Sequence, residues 1–418
     1  MRKRKDSDFM TMRGARRISP IRIISMILGG ILIGFLIWLI MSVINIDIEL
    51  DLVQTYEFPT PSNLSGLIHP SYGEWAVAID GEPVLCGAEE SAEGVTPCGE
   101  LTSRPTASTA KMVTVLMAKR RRDFAKGDVG ETITISPEFY QKYLWYVANG
   151  GSVIAVAEGE EISEYDAIAS AMLPSSNNMS DTLAIWAFGS MEEYKTQATA
   201  YLREIGATHT TIGTDASGFD PSTTSTAADL AKIGAYVLKD EVLAEIVGST
   251  TREVPVAGVL HNTNTNLGKS GIIGVKTGWI GDISGYCLVN GYLIDGHIVT
   301  VAAMGAPSRA DSMNDTHAIV ANLQEILQPQ ELVGTGAEVG YYESWWTGCV
   351  PIYIDQGVRD ILYSGEDVSA VLTPERLELA LADTHYDLPV HTSEAVPDTP
   401  TLWQKILHAF GWKAEEGR

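Results

Sequence analysis

One stretch near the start of the chain is apolar on every face. Residues 23–46 carry no charged side chain over 24 positions, and an α-helix of that length spans about 36 Å, enough to cross the hydrocarbon core of a bilayer. A buried core helix is the alternative, but a run this long with no polar face favours a membrane span. We therefore predict a transmembrane helix over 23–46.

Later segments show the period of two that is typical of strands. Residues 75–79 and 84–86 alternate around Asp80-Gly81, a favoured two-residue hairpin turn. Beyond residue 254, β-branched and aromatic runs predict further strands at 271–276, 285–292 and 298–304.

The middle of the chain carries helix-start signals. In each of them a Ser or Thr stands three residues before an acidic residue, so that its side chain can cap the first turn. The pairs are Ser163 with Asp166, Ser190 with Glu193, and Thr226 with Asp229. Pro174 should end the first of these helices. The pattern predicts a mixed α/β (α+β) fold, in which an antiparallel sheet is flanked by helices and a helical lobe.

Segments outside this pattern indicate linkers and a second domain. Residues 47–72 hold three prolines among Ser and Asn, which is typical of a tether. Short β-like runs after residue 328, such as 350–354, predict a small β-rich domain. The predicted organisation is a basic segment 1–22, a transmembrane anchor 23–46, a linker 47–72, a main domain 73–328, a β-rich domain 329–391, and a linker with an amphipathic tail 392–418.

The tail carries an apolar stripe at helical spacing. Its members are Leu402, Trp403, Ile406, Leu407 and Phe410. Two interpretations stay open: a helix lying in the membrane interface, and a helix docked on its own domain. Glutamates at 415 and 416 disfavour an anionic lipid surface.

Charge is sharply segregated along the chain. The first 22 residues hold eight Lys or Arg against two Asp, so their net charge is +6 and that of the remainder is −30. A positive flank before the apolar run predicts a cytoplasmic amino terminus, with the chain after about residue 47 outside the cell membrane. A cleavable signal would need an apolar region of about 7 to 15 residues and a small-residue cleavage site. Residues 42–44 do not supply that site, so an uncleaved anchor is favoured.

The acidic remainder argues against nucleic acid as a partner, because phosphate binding needs clustered Lys and Arg. The basic run 119–122 is the exception. It falls near the end of a predicted helix, where cations complement the helix dipole, and we interpret it as structural.

The chain has four cysteines, and an exported location permits disulfides. Cys86 and Cys98 flank a Gly- and Glu-rich loop and are expected to pair. Cys287 and Cys349 either pair with each other or remain free buried thiols. No cluster of His or Cys has metal-ligand spacing, so no metal or cofactor is predicted.

Candidate chemistry begins at Ser108 and Lys111, since no other lysine has a serine three residues before it. On a helix these positions share one face, so the lysine amine can reach the hydroxyl. Two further motifs follow in order: Ser175-Ser176-Asn177 lies 67 residues beyond Ser108, and Lys276-Thr277-Gly278 lies 99 residues beyond Asn177. Each motif alone is weak, but the three in this order are characteristic of serine acyl transfer.

With these motifs the chain resembles the penicillin-binding protein and serine β-lactamase superfamily, and within it the low-molecular-mass D-alanyl-D-alanine carboxypeptidases. The resemblance covers roughly residues 70 to 310 and includes 105–107, 173–174, 215–218 and 274–275. It implies a β-lactamase/transpeptidase-like main domain. One departure is Ser176, where the usual form of the second motif has aspartate.

The resemblance also implies a role for each matched residue. Ser108 would attack the carbonyl of the penultimate D-alanine of a peptidoglycan pentapeptide, and Lys111 would take its proton after its pKa has been lowered by burial and by Lys276. The other implied roles are proton relay by Ser175, orientation of Lys111 and the substrate amide by Asn177, binding of the terminal carboxylate by Lys276 and Thr277, close approach at Gly278, and an oxyanion hole from the backbone N–H groups of Ser108 and Trp279. β-Lactams would be inhibitors.

Other functions remain open at this stage. A β-lactamase would share the acylation residues, but the stretch 206–226 lacks the glutamate that class A enzymes use for deacylation. A DD-endopeptidase would use identical motifs. A catalytically silent wall-binding or β-lactam-sensing protein would not need all six polar side chains of the motifs. A histidine-based hydrolase is disfavoured, since no Gly-x-Ser-x-Gly turn is present.

Overall fold

The computed structural model describes residues 19–414 apart from 65, 90–95, 364 and 383. Most of the predicted basic segment, the centre of the loop after Cys86 and the glutamates at 415 and 416 therefore lie outside the described residues. Over the described residues the helices are α1 (Pro20–Ile44), α2 (Lys111–Arg121), α3 (Pro137–Ala148), α4 (Glu164–Met172), α5 (Asn177–Phe188), α6 (Met191–Glu204), α7 (Ala227–Lys239), α8 (Glu241–Val247), α9 (Arg309–Ile326) and α10 (Leu402–Ala409).

The strands over the same residues are β1 (Asp51–Gln54), β2 (Glu74–Ile79), β3 (Glu82–Ala88), β4 (Arg104–Pro105), β5 (Thr132–Thr134), β6 (Glu161–Ser163), β7 (Thr224–Ser225), β8 (Thr251–Val254), β9 (Gly258–His261), β10 (Gly274–Trp279), β11 (Tyr286–Ile294), β12 (His297–Ala306), β13 (Gln330–Val333), β14 (Glu338–Ser344), β15 (Gly348–Ile354), β16 (Val358–Asp360), β17 (Val368–Leu372), β18 (Arg376–Leu381) and β19 (Thr384–Thr392).

The chain divides into two compact units. The site unit comprises Thr60–Gln330 with Asp360–Glu366, and the terminal unit comprises the described parts of Met1–Pro59, Glu331–Arg359 and Asp367–Arg418.

The site unit is built on a five-stranded antiparallel sheet in the order β10-β11-β12-β2-β3. The predicted hairpin is confirmed: Ile79 pairs with Glu82 across Asp80 (φ 49°) and Gly81 (φ 93°), as a two-residue turn with positive φ at both positions requires.

Both faces of this sheet are buried, and alternation along β2 separates two cores. Ala76 and Ala78 point into the core that contains α7 and the helical lobe. The opposite face carries Trp75, Val77 and Ile79, which share a core with Ile319, Val320 and Leu323 of α9. Small residues let α7 approach closely: a side chain at Gly234 would meet Val289 of β11 at 2.6 Å. Helix α7 therefore packs directly against the sheet that carries β10.

The helical lobe follows the predicted start signals. Ser163, Ser190 and Thr226 each accept a hydrogen bond from the backbone N–H three residues later, and α4, α6 and α7 begin directly after them. Helix α4 ends at Met172, two residues before Pro174. Helices α3, α8 and α9 and the β8–β9 hairpin were not predicted, although Ser308 caps α9 through the N–H of Asp311 by the same signal.

The terminal unit contains a six-stranded sheet in the order β1-β14-β15-β19-β18-β17. This corrects one expectation, because β1 falls inside the stretch 47–72 predicted as a tether. Asp51–Gln54 pairs antiparallel with 340–343, since Leu52 and Val53 supply β-forming side chains at the edge of that sheet. The β-rich character predicted after residue 328 is present in β14 to β19.

Helix α1 is long and apolar enough to cross a membrane, and its residues are largely exposed. Near the other end of the chain, α10 packs Phe410 against Phe35 and Trp38 of α1, at ring-centroid distances of 6.3 and 5.9 Å. Leu402 and Trp403 remain exposed. Helix α10 therefore contacts its own unit, while part of its apolar stripe stays uncovered.

One of the two cysteine pairs that the sequence suggested is present and the other is not. Cys86 and Cys98 form the expected disulfide. Cys287 and Cys349 are free, so their pairing was wrong. Cys287 is a free buried thiol, as the alternative expected, whereas Cys349 is free but only half-buried. Cys287 is buried in β11, where its Sγ faces the backbone carbonyls of Pro105 and Ser284.

Candidate active site

Ser108 lies in a single 3₁₀ turn, Ala107–Ala110, that runs directly into α2. Lys111 is the first residue of that helix, one turn beyond Ser108, and is fully buried. Its Nζ lies 2.7 Å from Ser108 Oγ, so the predicted pair is in hydrogen-bond contact. The side chains meet because i and i+3 positions share one face of a helical turn.

Three oxygens surround the Lys111 amine. Besides Ser108 Oγ, they are Asn177 Oδ1 and the Ser217 carbonyl oxygen, each at 2.8 Å. The last two can only accept hydrogen bonds. A neutral amine, which has two N–H groups and one lone pair, would therefore donate to Asn177 and Ser217 and turn its lone pair toward the Ser108 hydroxyl. This is the geometry that a general base requires.

Burial lowers the pKa of Lys111 from 10.5 to about 7, and the carboxylates of Asp215 and Asp181 act against that shift. The sequence-based expectation that Lys276 contributes to this lowering is not borne out, because burial is the lowering cause. Charge repulsion between the two lysines instead contributes to the lowered pKa of Lys276. Its pKa is lowered by burial first, and then by the charges of Lys111 and Arg309.

The second motif lies between α4 and α5. Ser175 has a positive φ of 65°, and its buried Oγ has no hydrogen-bond partner among the described residues. An unsatisfied buried hydroxyl is costly, which is typical of a group that completes its bonding with a ligand. Asn177 is the first residue of α5, and its backbone N–H donates to the Ser152 carbonyl at 2.7 Å. The turn thus presents Ser175 and Asn177 together.

Ser176, where the sequence departs from the usual motif, turns away from this cleft. It is fully buried and accepts from the N–H of Met179 as the cap of α5. Its hydroxyl also donates to Asn178 Oδ1 at 2.6 Å and accepts from the N–H of Ile154. The residue that departs from the usual motif therefore caps α5 and does not face the cleft.

The third motif lies on edge strand β10, as predicted. Lys276 is buried and donates to the carbonyl of Thr277 at 3.0 Å. The Thr277 hydroxyl donates to Thr263 Oγ1 at 2.8 Å. At Gly278 a side chain would lie 3.0 Å from the backbone nitrogen of Ser108, so only glycine lets the strand pass this close to the serine turn. Trp279 follows at the strand end, where its exposed ring stacks on Tyr286.

These elements enclose a cleft of about 240 Å³ that contains Ser108, Ser175, Thr277, Gly278 and the Trp279 side chain. The sequence pattern did not indicate several other residues of the cleft, namely Ser152, Thr263, Tyr286, Arg309 and Ser312. Only the helix-start signal at Ser308 could have pointed to Arg309, the first residue of α9. Ser152 and Thr263 lie in loops without a pattern of their own, whereas Tyr286 begins β11 and Ser312 lies in α9.

A larger cavity, of about 690 Å³, lies between α3 and the 214–221 loop. It is lined in part by Trp145, Phe219, Asp181 and Asp215 and does not include Ser108. Volume therefore does not identify the reacting centre here, whereas the hydrogen bonds of Lys111 do. Within the described part of the chain, no group of three or more His, Cys, Asp or Glu residues is arranged to hold a metal ion.

The fold is that of the penicillin-binding proteins. Penicillin binding protein 6B from Escherichia coli superimposes with a TM-score of 0.57 at 18% identity, covering 80% of this chain and 99% of that one. The D-alanyl-D-alanine carboxypeptidase from Mycobacterium tuberculosis H37Rv superimposes with a TM-score of 0.51 at 22% identity, covering 68% and 99%. At these identities the likeness shows the fold.

The chain belongs to the D-alanyl-D-alanine carboxypeptidase family (peptidase S11), whose model matches residues 98–308, just over half of the sequence. D-alanyl-D-alanine carboxypeptidase DacF of Bacillus subtilis (strain 168) is 26% identical over 187 residues, which are 44% of this chain. The match spans 46% of the length of that curated relative.

Proposed function

We propose that this protein is a serine-type D-alanyl-D-alanine carboxypeptidase that trims the stem pentapeptide of peptidoglycan through an acyl-serine intermediate. The observation that carries the proposal is the Lys111 amine, buried and held 2.7 Å from Ser108 Oγ by two acceptors that cannot donate. Membership of the family supplies the substrate class.

Acylation begins when neutral Lys111 takes the Ser108 proton. The freed Oγ attacks the carbonyl carbon of the penultimate D-alanine, and the developing oxyanion binds the backbone N–H groups of Ser108 and Trp279. Each such donor contributes about 3 to 4 kcal/mol in acyl transfer generally. The position of Gly278 against Ser108 N supports this pairing, because the strand and the serine turn lie in direct contact.

Collapse of the tetrahedral intermediate breaks the C–N bond to the terminal D-alanine. The leaving amine takes the proton held by Lys111, relayed through Ser175, whose buried hydroxyl has no other partner among the described residues. The shortened peptide remains attached to Ser108 Oγ as an ester. Water then attacks this ester while Lys111 takes one of its protons. The acyl C–O bond to Ser108 breaks, the proton passes from Lys111 to Ser108 Oγ, and the shortened peptide leaves as a carboxylic acid.

One wall of the cleft binds the terminal carboxylate of the substrate. Thr277 and Arg309 line it, and buried Lys276 lies beneath on the same strand as Thr277. Arg309 donates to the carbonyl of Thr263, which fixes the side chain beside Thr277. A guanidinium, a lysine amine and a hydroxyl, all of which donate hydrogen bonds, suit a carboxylate better than a neutral chain end. This favours cleavage at a free carboxyl terminus, and the same cleft accepts β-lactams as inhibitors.

We also propose that α1 anchors the protein in the cell membrane as a single pass. The basic residues before it support a cytoplasmic amino terminus, with the site unit outside, where peptidoglycan lies. The division expected from the sequence, into a catalytic domain and a β-rich domain that follows it, belongs to the same proposal, with Asp360–Glu366 assigned to the catalytic domain.

The test uses the detergent-solubilised full chain. Intact mass is followed after incubation with penicillin and during a chase of hours, and D-alanine release from a pentapeptide is measured in parallel. Ser108→Ala and Lys111→Ala should lose both the adduct and the D-alanine. Ser103→Ala, at an exposed serine whose hydroxyl donates to the carbonyl of His209, should keep both.

Three outcomes would contradict the proposal. Normal turnover by either site variant would refute the mechanism. An adduct that clears within seconds, without release of D-alanine, would indicate a β-lactamase. No adduct at all would indicate a silent wall-binding protein.

A further inference from the structure

The 215–218 loop takes part in the proposed chemistry through a single atom, the carbonyl oxygen of Ser217. That oxygen accepts from Lys111 Nζ at 2.8 Å. It lies 106 residues away from Lys111 along the chain, so its position depends wholly on what holds the loop. If the carbonyl moved away, one N–H of the amine would lose its acceptor, and the lone pair would no longer be directed at Ser108.

One carboxylate holds this loop. Asp215 Oδ1 accepts from the backbone N–H of Ser217 at 2.7 Å and from its hydroxyl at 2.6 Å, and more weakly from the N–H of Phe219. Oδ2 accepts from the N–H of Asp220 at 2.8 Å. Asp215 is buried, so these bonds are shielded from water. The loop is wound around the Asp215 side chain.

The loop is also fixed at both flanks. Asp181 on α5, the helix that begins with Asn177, accepts from the N–H of Ala216 at 3.0 Å. At the other end Gly218 has a φ of 70°, and a side chain there would lie 2.0 Å from the carbonyl oxygen of Ala107, the residue before Ser108. The loop therefore touches both the serine turn and the helix that supplies the other acceptor.

We propose that Asp215, supported by Asp181, is the positioning residue of the catalytic base: it holds the Ser217 carbonyl on Lys111, and its charge stabilises the ammonium formed when Ser108 gives up its proton. This inference rests on the proposed acyl-serine function.

The electrostatic part follows from the surroundings of Lys111. Burial lowers its pKa, and Asp215 is the larger of the two opposing causes, ahead of Asp181. The charged groups that interact with the amine directly are Asp215, Asp181 and Lys276. Beyond them, Tyr146 and Tyr194 face the two carboxylates and Arg309 acts on Lys276. The carboxylates are the only anions in this set of groups. Removing one of them should lower the pKa of Lys111 and make it a weaker base.

The experiment measures the single-turnover acylation rate by a fluorescent penicillin from pH 5 to 9, on the detergent-solubilised full chain. Because acylation needs neutral Lys111, the rate rises with pH through the pKa of that residue. In Asp215→Asn the midpoint of this rise should shift to a pH lower by about one unit. The acylation rate on the high-pH plateau should also fall. Loss of structure alone would lower the rate at every pH without moving the rise.

Two control variants separate charge from position. Asp220→Asn removes an equal charge from the same loop, but Asp220 bonds Ser222 and is not among the causes that shift Lys111. In Asp220→Asn the acylation rate should therefore rise at the same pH as in the unmodified chain. Ser217→Ala keeps the carbonyl and the Asp215 charge but loses the hydroxyl that donates to Asp215 and accepts from the N–H of Phe219, so its plateau should fall modestly at an unchanged pH of the rise.

The outcomes are distinct. An unmoved rise in Asp215→Asn would overturn the inference while leaving the proposed function intact. If Asp215→Asn does not fold, the same measurement is made on Asp181→Asn, and an unmoved rise in that variant would overturn the inference. Failure of the unmodified chain to become acylated would refute the proposed function, and the inference with it.

Discussion

His297 is expected to stabilise the site unit as a protonated residue held between two carboxylates. Its Nδ1 faces Asp80 Oδ2 at 2.6 Å, and its Nε2 faces Asp360 Oδ1 at 2.9 Å. This histidine clamp joins the turn between β2 and β3, the first residue of β12 and the last residue of β16. The hydrogen bonds to Asp360 and Asp80 raise the pKa of His297 from 6.5 to about 10, against the effect of burial.

The magnitude follows from linkage between protonation and folding. A shift of this size corresponds to at most about 5 kcal/mol of folding free energy, at 1.36 kcal/mol per pKa unit. His297 is only 18% exposed, but Asp80 is 34% exposed and screened by solvent, so we expect a loss of about 3 kcal/mol in His297→Gln. Because the folded-state pKa is raised, the stabilisation is complete below the unfolded pKa of 6.5 and disappears as pH rises through 10.

The assay is urea unfolding of the solubilised chain and its His297→Gln variant at pH 6, 8 and 10. Hydrogen exchange of β2 and β12 assigns the change to the site unit. The stability difference should be largest at pH 6, smaller at pH 8 and nearly absent at pH 10. His209→Gln, which removes a half-exposed histidine 3.8 Å from Asp229, should cost less than about 1 kcal/mol. A difference for His297→Gln that does not vary with pH would refute the charged clamp.

Two further predictions concern the second motif and the cysteines. Ser176→Ala should lower the free energy of unfolding by about 1 to 2 kcal/mol, through loss of the α5 cap, and leave the penicillin acylation rate within about twofold, which stopped-flow and denaturation measurements check. A loss of acylation comparable to that in Ser108→Ala would contradict the view that Ser176 faces away from the chemistry. Denatured chain alkylated before reduction should gain two labels by mass, and four after reduction, because Cys86 and Cys98 are bridged; four labels without reductant would contradict the disulfide.

The elements that the sequence predicted correctly are those specified by local interactions. Asp80-Gly81 forms its turn because both residues accept positive φ, and Ser163 begins α4 because its side chain caps the next turn. The Ser108 and Lys111 contact is local as well. It depends on one turn of helix, so the spacing of the two residues indicated it once the other two motifs supported the pair.

The elements that the sequence missed depend on tertiary contacts. β1 is four residues long and becomes a strand only because 340–343 supplies its partner. Arg309 reaches the cleft because α9 packs against the sheet, a placement that no pattern around Arg309 indicates. The charge environment of Lys111 was misjudged for the same reason, since depth of burial and the approach of Asp215 are properties of the folded chain.

The second motif shows why a departure in sequence need not reach the chemistry. Ser175 and Asn177 flank Ser176, but the positive φ of Ser175 and the start of α5 turn the three side chains in different directions. Ser175 and Asn177 contribute to the cleft and to the amine of Lys111, whereas Ser176 caps the helix from within the core. The middle position must therefore accept backbone N–H groups, which serine and aspartate both do. The flanking positions must hold a hydroxyl and an amide for the lysine base, and this chain retains both.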